Sequence, residues 1–142
     1  MGALGIETSG SITGMKDAKE KFIELNLKIE EASSMKSNLD VIKNNRAHGS
    51  LIKVFKHFEV NRVEAERILA ELLEHENCFV HMCAASHCIG LGIRVEQALT
   101  VLKKVAQNPT KPSRLQAQGV LMVYEEQGYL TMYPGQKNLN PK

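Results

Sequence analysis

The hydrophobic pattern is most distinctive between residues 78 and 89, where apolar side chains occur almost all the way round a helical projection. Short turns border this stretch: His75-Glu76-Asn77 precedes it, and Gly90-Leu91-Gly92 follows it. A helix without a solvent-facing side has to be covered by neighbouring elements. The pattern therefore predicts a helical domain built around this segment, which we expect to be the fourth helix.

Elsewhere the chain repeats apolar residues in steps of three and four, which is the helical period. The stripe expected on the first helix is Ala18, Phe22, Leu25, Ile29 and Ala32. The inward positions expected on the second helix are Leu39, Ile42, Ile52, Phe55 and Phe58, and those on the third are Val63, Ile68, Leu72 and Leu73. On the fifth helix they are Ala98, Leu99, Leu102 and Val105, and on the sixth they are Leu115, Val120, Leu121 and Tyr124. No segment alternates for long enough to indicate a strand. The predicted fold class is all-α.

Residues that favour helix ends support these boundaries. Asn38 is expected to cap the second helix, and Gly49 to interrupt it near its middle. Asn61 is followed three residues later by Glu64, the spacing of a capping box, which predicts the start of the third helix. The sixth helix is expected to begin at Lys111-Pro112 and to stop at Gly128.

Six helices joined by short turns predict three antiparallel pairs: one with two, three with four, and five with six. Each pair spans roughly 35 to 45 residues, the size of a HEAT or armadillo unit. Two architectures stay open, a HEAT-like right-handed α-α superhelix and a compact helical bundle without repeats. We expect the helical domain over residues 14–128, with a flexible lead-in at 1–13 and an irregular tail at 129–142.

Composition argues against nucleic-acid binding and against a membrane span. The 142 residues carry a net charge of +2, too small to indicate nucleic-acid binding, and no apolar run is long enough to span a membrane. Aromatic residues make up only 5% of the chain, which leaves few platforms for stacking bases. The cysteines Cys78, Cys83 and Cys88 are odd in number and closely spaced, a pattern typical of free thiols in the cytoplasm.

Metal-ligating and nucleophilic side chains cluster in the fourth helix, as Cys78, His81, Cys83, His87 and Cys88. Helical spacing places them on different faces, and no second pair of ligands occurs elsewhere to complete a tetrahedral zinc site. Cys83 and His87 have the spacing of a nucleophile and its base, yet a thiol in the middle of an apolar helix is inert. We therefore expect no metal, no cofactor and no catalytic residue.

Charge is arranged in two opposite blocks. Residues 36–57 carry five basic side chains against Asp40, a balance of +4. Residues 59–76 carry six glutamates against Arg62 and Arg67, a balance of −4. Adjacent helices of opposite charge can attract each other, or either can dock a partner of opposite charge. The partner-binding candidates of the acidic block are Glu66, Glu71 and Glu74, and the basic alternatives are Lys43, Arg46, Lys53 and Lys56.

The tyrosines of the chain all lie near its C-terminal end, at Tyr124, Tyr129 and Tyr133. Tyrosine is enriched at protein interfaces because it offers a large contact area at a small entropic cost. Two roles stay open for this segment. It can fold back over the last helices, as the end of a helical array requires, or it can contact a partner.

A family resemblance is carried by the pattern L-x-x-L-L-x-H-x-N-x-x-V-x-x-x-A-A, which runs from Leu69 to Ala85. Asn45-Arg46, Ala98-Leu99 and the closing Gly128 also fit. Over about residues 16 to 130 the chain resembles a small bacterial HEAT-like family, catalogued as a domain of unknown function, whose members resemble immunity-type and adaptor proteins. Such repeats usually have arginine after the valine of this helix, and this chain departs from that pattern with His81.

These features favour a non-enzymatic protein-interaction module in the bacterial cytoplasm. In its most specific form the module is an immunity protein that binds and neutralises a cognate toxin. One alternative is a nucleic-acid-binding helical repeat that uses the basic second helix. Another is a small enzyme that uses the Cys/His cluster.

Overall fold

The structure is a computed structural model that describes residues 15–33, 38–110 and 113–136. Its helices are α1 (Met15–Ser33), α2 (Asn38–Val60), α3 (Arg62–Leu72), α4 (Cys78–Leu91), α5 (Val95–Gln107) and α6 (Arg114–Gln127). These described ranges contain no strand, and the all-α prediction is confirmed. No helix in them is long and apolar enough to cross a membrane. The predicted lead-in at 1–13 and the predicted start of α6 at Lys111-Pro112 lie outside the described residues.

Helix α2 continues without a break for 23 residues. The predicted interruption at Gly49 is therefore wrong. A side chain at this exposed position would meet no atom within 4 Å, so the glycine adds backbone freedom without requiring a bend. Asn38 is the first residue of α2, but its predicted cap lies outside the described side chains, as do Leu39 and Ile42.

Asn61 separates α2 from α3 by bonding to the end of α2. Its backbone N–H donates to the Phe58 carbonyl at 3.2 Å, and its side-chain amide donates to the His57 carbonyl at 2.9 Å. The predicted capping box with Glu64 is wrong, because the Asn61 N–H is already used and the Glu64 carboxylate bonds to the guanidinium of Arg67, with Nε at 2.9 Å. Asn61 thus closes the C-terminal end of α2 while its carbonyl starts α3.

Contacts divide the chain into two compact units between Ile68 and Leu69, within α3. In the first unit α1 packs along α2. The predicted stripe of α1 is confirmed at the buried residues Ala18, Phe22, Leu25 and Ile29, while Ala32 lies outside the described side chains. The Phe22 and Phe58 rings pack with their centroids 6.5 Å apart. This unit is therefore held by the aromatic and aliphatic contacts between its first two helices.

Most inward positions predicted on α2 and α3 are buried. Phe55, Phe58, Ile68, Leu72 and Leu73 are buried, and Ile52 is half-buried. Val63 is a wrong prediction, because its side chain is 82% exposed. The buried stripe of α3 includes Ala65 and Ile68, and Val63 lies about 200° round the helix from Ala65.

In the second unit α4 has no exposed residue, as the sequence predicted. Nine of its residues are buried, including Val80, Ala84 and Ala85. Helix α5 packs against both α4 and α6. Ala98, Leu102 and Val105 of α5 are buried, and Leu99 is half-buried. The predicted pairing of the fifth helix with the sixth is confirmed. Helix α5 also packs against α4, and the division between the two units lies within α3.

Helix α6 is shallowly packed, because Ala117 is its one buried residue. Val120, Leu121 and Tyr124 are half-buried, on the same broad side as Ala117. The inward prediction for Leu115 is wrong: this residue is 67% exposed. It lies two residues before Ala117, and therefore on nearly the opposite side of the helix.

The segment after α6, residues 129–136, folds onto the C-terminal end of α4. Leu130 is buried, and so is Gln136, whose side-chain amide donates to the Gly90 carbonyl at 3.2 Å. The Gln136 side-chain oxygen accepts a hydrogen bond from the Met132 N–H. Of the two roles considered for this segment, the geometry fits the closing one, because Gln136 satisfies a carbonyl at the end of a buried helix.

Asn26 is a polar residue buried completely in the first unit. Its amide nitrogen donates to the Phe22 carbonyl at 2.9 Å, but its side-chain oxygen has no hydrogen-bond partner among the described residues. A buried acceptor without a partner lowers the free energy of unfolding by about 1 to 3 kcal/mol. The first unit is therefore less stable with Asn26 than it would be with an apolar residue of similar shape at this position.

We expect Asn26→Leu to stabilise the protein by about 1 to 2 kcal/mol, because leucine has a similar shape and leaves no unsatisfied oxygen. Urea unfolding followed by circular dichroism measures the change. The matched control is Asn61→Leu, which removes an amide that does have a partner and should destabilise. A loss of stability in Asn26→Leu would mean that the Asn26 oxygen is satisfied in solution.

Candidate functional site

Side-chain hydrogen bonds hold the N-terminal end of α4. The Asn77 side-chain oxygen accepts from the Val80 N–H at 2.9 Å, so the predicted opening residue of this helix is confirmed. His75 Nδ1 accepts from the Asn77 N–H at 3.0 Å, and His81 Nδ1 donates to the His75 carbonyl at 2.9 Å. His81 thus bonds to the turn that precedes the helix. Both histidines act here by fixing the backbone.

His87 is buried in the middle of α4, and its Nδ1 donates to the Cys83 carbonyl at 2.9 Å. Burial lowers the pKa of His87 from 6.5 to about 4, because a charged imidazolium loses its hydration there; the bond to the Cys83 carbonyl opposes this only in part. At neutral pH the ring is therefore uncharged, as expected of a histidine that belongs to the core.

The three cysteines are free thiols, with Cys88 buried and Cys78 and Cys83 half-buried. In the part of the chain that the structure describes, no three His, Cys, Asp or Glu residues lie close enough to hold a metal ion together. Cys83 and His87, which have the spacing of a nucleophile and its base, are linked through the Cys83 backbone carbonyl. This hydrogen bond ties the His87 ring to its own helix.

The acidic candidates Glu66, Glu71 and Glu74 are all exposed. Glu66 belongs to the first unit, whereas Glu71 and Glu74 belong to the second. Glu74 also follows the end of α3. These three glutamates therefore do not belong to one helix face of one unit. Glu66 is the one that lies one helical turn from an exposed apolar side chain, that of Val63.

The tyrosine candidates Tyr124, Tyr129 and Tyr133 are half-buried. The Tyr129 carbonyl accepts from the Gln127 side-chain amide at 3.1 Å, which ties the start of the C-terminal segment to α6. The segment closes the end of α4 through Leu130 and Gln136. Its tyrosines, Tyr129 and Tyr133, therefore lie on a packed part of the structure.

Among the described residues, Val60 and Val63 are the most exposed large apolar side chains, at 80% and 82%. Sequence patterns gave no role to Val60 and placed Val63 on the inward side. Val60 ends α2 and Val63 lies in the first turn of α3, so both stand at the turn that Asn61 holds. Glu66 follows Val63 by nearly one helical turn, on the same side of α3. We call Val60, Val63 and Glu66 the α2–α3 corner. A signal was present, since two valines three residues apart flank a turn.

The basic residues Arg46, Lys53 and Lys56 are exposed on α2, and the side chain of Lys43 lies outside those described. Arg46 and Lys53 are seven residues apart and share one side of the helix, with Lys56 close to it. The phenylalanines Phe55 and Phe58 are buried. This side of α2 can therefore attract an anion, but these aromatic rings cannot stack on one.

A shallow groove of about 430 Å³ follows the outer side of α1. Ile23 and Leu27 provide its apolar surface, with Glu20 and Glu24 beside them. Glu24 pairs with Lys28 at 3.2 Å. An open helix face without converging polar groups differs from a small-molecule site, which is concave and encloses its ligand.

Comparison with known proteins finds no matching family model, no matching curated protein and no matching solved structure.

The burial of His87 generates a prediction about pH. In the folded protein the pKa of His87 is about 4, whereas the unfolded chain has the ordinary value of 6.5. As pH falls below 6.5 the unfolded chain takes up a proton that the folded chain does not, so we expect stability to fall by about 1 kcal/mol per pH unit until pH approaches 4. Urea unfolding at pH 7, 6 and 5 measures this dependence.

His87→Asn should flatten this pH dependence, because asparagine keeps a donor near the Nδ1 position but does not titrate. His57→Asn is the control: partial burial also lowers the pKa of His57, but that side chain is half-buried, and most of the dependence should remain. Equal slopes for wild type and His87→Asn would contradict the assignment.

Proposed function

We propose that this chain is a protein-interaction module that binds its partner at the α2–α3 corner. The observation that carries the proposal is the exposure of Val60 and Val63, each about four-fifths open to solvent and both at one turn. Single exposed apolar residues are common on protein surfaces, but neighbouring ones at a fixed turn form a small patch that gains free energy when a partner covers it. Asn61 holds that turn through two hydrogen bonds, so little ordering is required on binding.

Charge defines the kind of partner. Glu66 lies beside Val63 and is exposed, so the corner combines an apolar patch with a carboxylate. A partner with an apolar recess next to lysine or arginine fits this combination. The carboxylate would speed association by long-range attraction, while the valines would slow dissociation by burying apolar surface.

The most specific form of the proposal is an immunity protein that blocks a cognate bacterial toxin from the same cytoplasm. Its support is the resemblance carried by Leu69 to Ala85 together with a helical corner that Asn61 holds by two hydrogen bonds. A blocking protein works by occupying its target, and a preformed corner suits that task because it loses little entropy on binding. The net charge of +2 favours a toxin other than a nuclease, or recognition through local carboxylates such as Glu66.

A second candidate function is nucleic-acid binding along α2. The observation that favours it is the exposure of Arg46, Lys53 and Lys56 toward one side of the helix. Basic side chains of this kind contact phosphates and bind without reading sequence. The buried Phe55 and Phe58 cannot add stacking, so we rank this function below protein binding.

The test begins with growth. If the chain is an immunity protein, its expression should protect bacteria from the toxin encoded beside its gene, and the purified pair should associate. Val60→Ser with Val63→Ser should then raise the dissociation rate about tenfold or more, because two apolar contacts are lost. Glu66→Lys should slow association and weaken its salt dependence. Surface plasmon resonance at two salt concentrations separates the two effects.

Glu20→Lys is the matched control, since it reverses an exposed glutamate on α1, away from the corner in sequence. It should leave both rates near those of wild type. The competing function predicts a different pattern: salt-sensitive binding of DNA or RNA in a gel-shift titration, abolished by Arg46→Glu with Lys53→Glu. That result, with no protection from any neighbouring toxin, would contradict the proposal.

A further inference from the structure

A second apolar surface lies on α6, on the side that faces away from α5. Leu115, Met122 and Val123 are all exposed, Leu115 at 67% and Met122 at 60%. Gly119 lies between them, and a side chain added there would meet no atom within 4 Å. Gly119 follows Leu115 by four residues, and Met122 and Val123 follow Gly119 by three and four, so these positions share one face of the helix. We call Leu115, Gly119, Met122 and Val123 the α6 face.

We propose that the α6 face is a self-association surface, through which two copies of this chain form an antiparallel helix pair centred on Gly119. This inference is independent of the α2–α3 corner, which belongs to the other unit. It concerns a second copy of the chain and leaves the partner of the corner unchanged.

The order of residues along α6 is what favours a second copy as the occupant. A two-fold interface places the same patch on both copies. In an antiparallel pair, a residue that precedes the crossing point by some number of positions therefore faces the residue of the other copy that follows it by the same number. Leu115 precedes Gly119 by four residues and Val123 follows it by four. In an antiparallel pair crossing at Gly119, Leu115 of one copy therefore packs against Val123 of the other, and the apolar contact occurs twice.

Charge follows the same order. The ten residues from Leu115 to Tyr124 carry no formal charge, so a strongly charged partner has nothing to pair with along the α6 face. A basic residue, Arg114, comes directly before this run, and an acidic one, Glu125, directly after it. Arg114 and Glu125 are eleven residues apart, three helical turns, and share one flank of α6. Antiparallel pairing brings Arg114 of one copy beside Glu125 of the other, at both ends.

Gly119 fits the centre of such a pair. Two helices approach most closely where they cross, and a residue without a side chain lets the backbones come near. Any larger residue at the centre would separate the flanking Leu115 and Val123 contacts. The open space around Gly119 in a single copy is where a second helix can lie.

Sedimentation velocity of the full chain, from micromolar to millimolar concentration, tests the proposal. We expect a monomer–dimer equilibrium. Leu115→Gln with Val123→Gln should raise the dimer Kd about tenfold or more, because each change acts twice in a two-fold dimer. Val60→Gln with Val63→Gln is the matched control, with the same chemistry at the α2–α3 corner, and should leave the Kd unchanged. Circular dichroism confirms that each variant is folded.

Charge reversal tests the register. Arg114→Glu alone and Glu125→Arg alone should each weaken the dimer, and the double variant should restore it, because the pairs are rebuilt with opposite signs. A second measurement uses Leu115→Cys with Val123→Cys, which leaves Gly119 in place: under mild oxidation, mass spectrometry of a proteolytic digest should find the peptide that holds both residues linked to itself, through residue 115 of one copy and residue 123 of the other. Thr100→Cys, exposed on α5, should give no such self-linked peptide.

Three outcomes would overturn the proposal. One is a monomer at every concentration. Another is a dimer whose Kd is unaffected by the changes at Leu115 and Val123. The third is a dimer in which the charge-reversed double variant is no tighter than either single variant. None of these bears on partner binding at the α2–α3 corner, which is measured with a different partner and other residues.

Discussion

The burial of α4 is the constraint on which the second unit depends. No residue of this helix is exposed, so both its ends and its sides need partners from elsewhere in the chain. Asn77 bonds to the first turn, α5 packs along the helix, and Gln136 reaches back to the Gly90 carbonyl at its other end. The C-terminal segment is thus part of the fold, because a buried helix end requires its carbonyls to be satisfied.

The burial of most of α4 also limits what its side chains can do. Its histidines and cysteines have the residue types of a metal or nucleophile site, but His81 and His87 each bond to a backbone carbonyl, and His87 is uncharged at neutral pH. The chemistry that the sequence concentrates in this helix therefore serves packing. Exposed apolar residues lie elsewhere, at Val60 and Val63 and along α6, and these are the surfaces for which we propose a function.

The sequence predicted the elements well because helical periodicity is local. The stripe of α1, the apolar character of α4 and the Asn77 cap all follow from residue spacing and from propensities within a few turns. Position relative to neighbouring helices is not local, and there the predictions failed: Val63 and Leu115 are apolar residues that point away from the buried side. The predicted interruption at Gly49 and the predicted capping box at Asn61 were wrong for another reason. Residue propensity shows where a helix can break or be capped, but packing decides whether it does so.

Native-state hydrogen exchange tests the central claim, that α4 is the buried core of its unit, most directly. The amides from Val80 to Ile89 should exchange more slowly than any others of the second unit, with an opening free energy equal to that of global unfolding in urea. Amides of α6, which buries only Ala117, should exchange faster. Exchange of the α4 amides at the rate of the α6 amides would contradict the account.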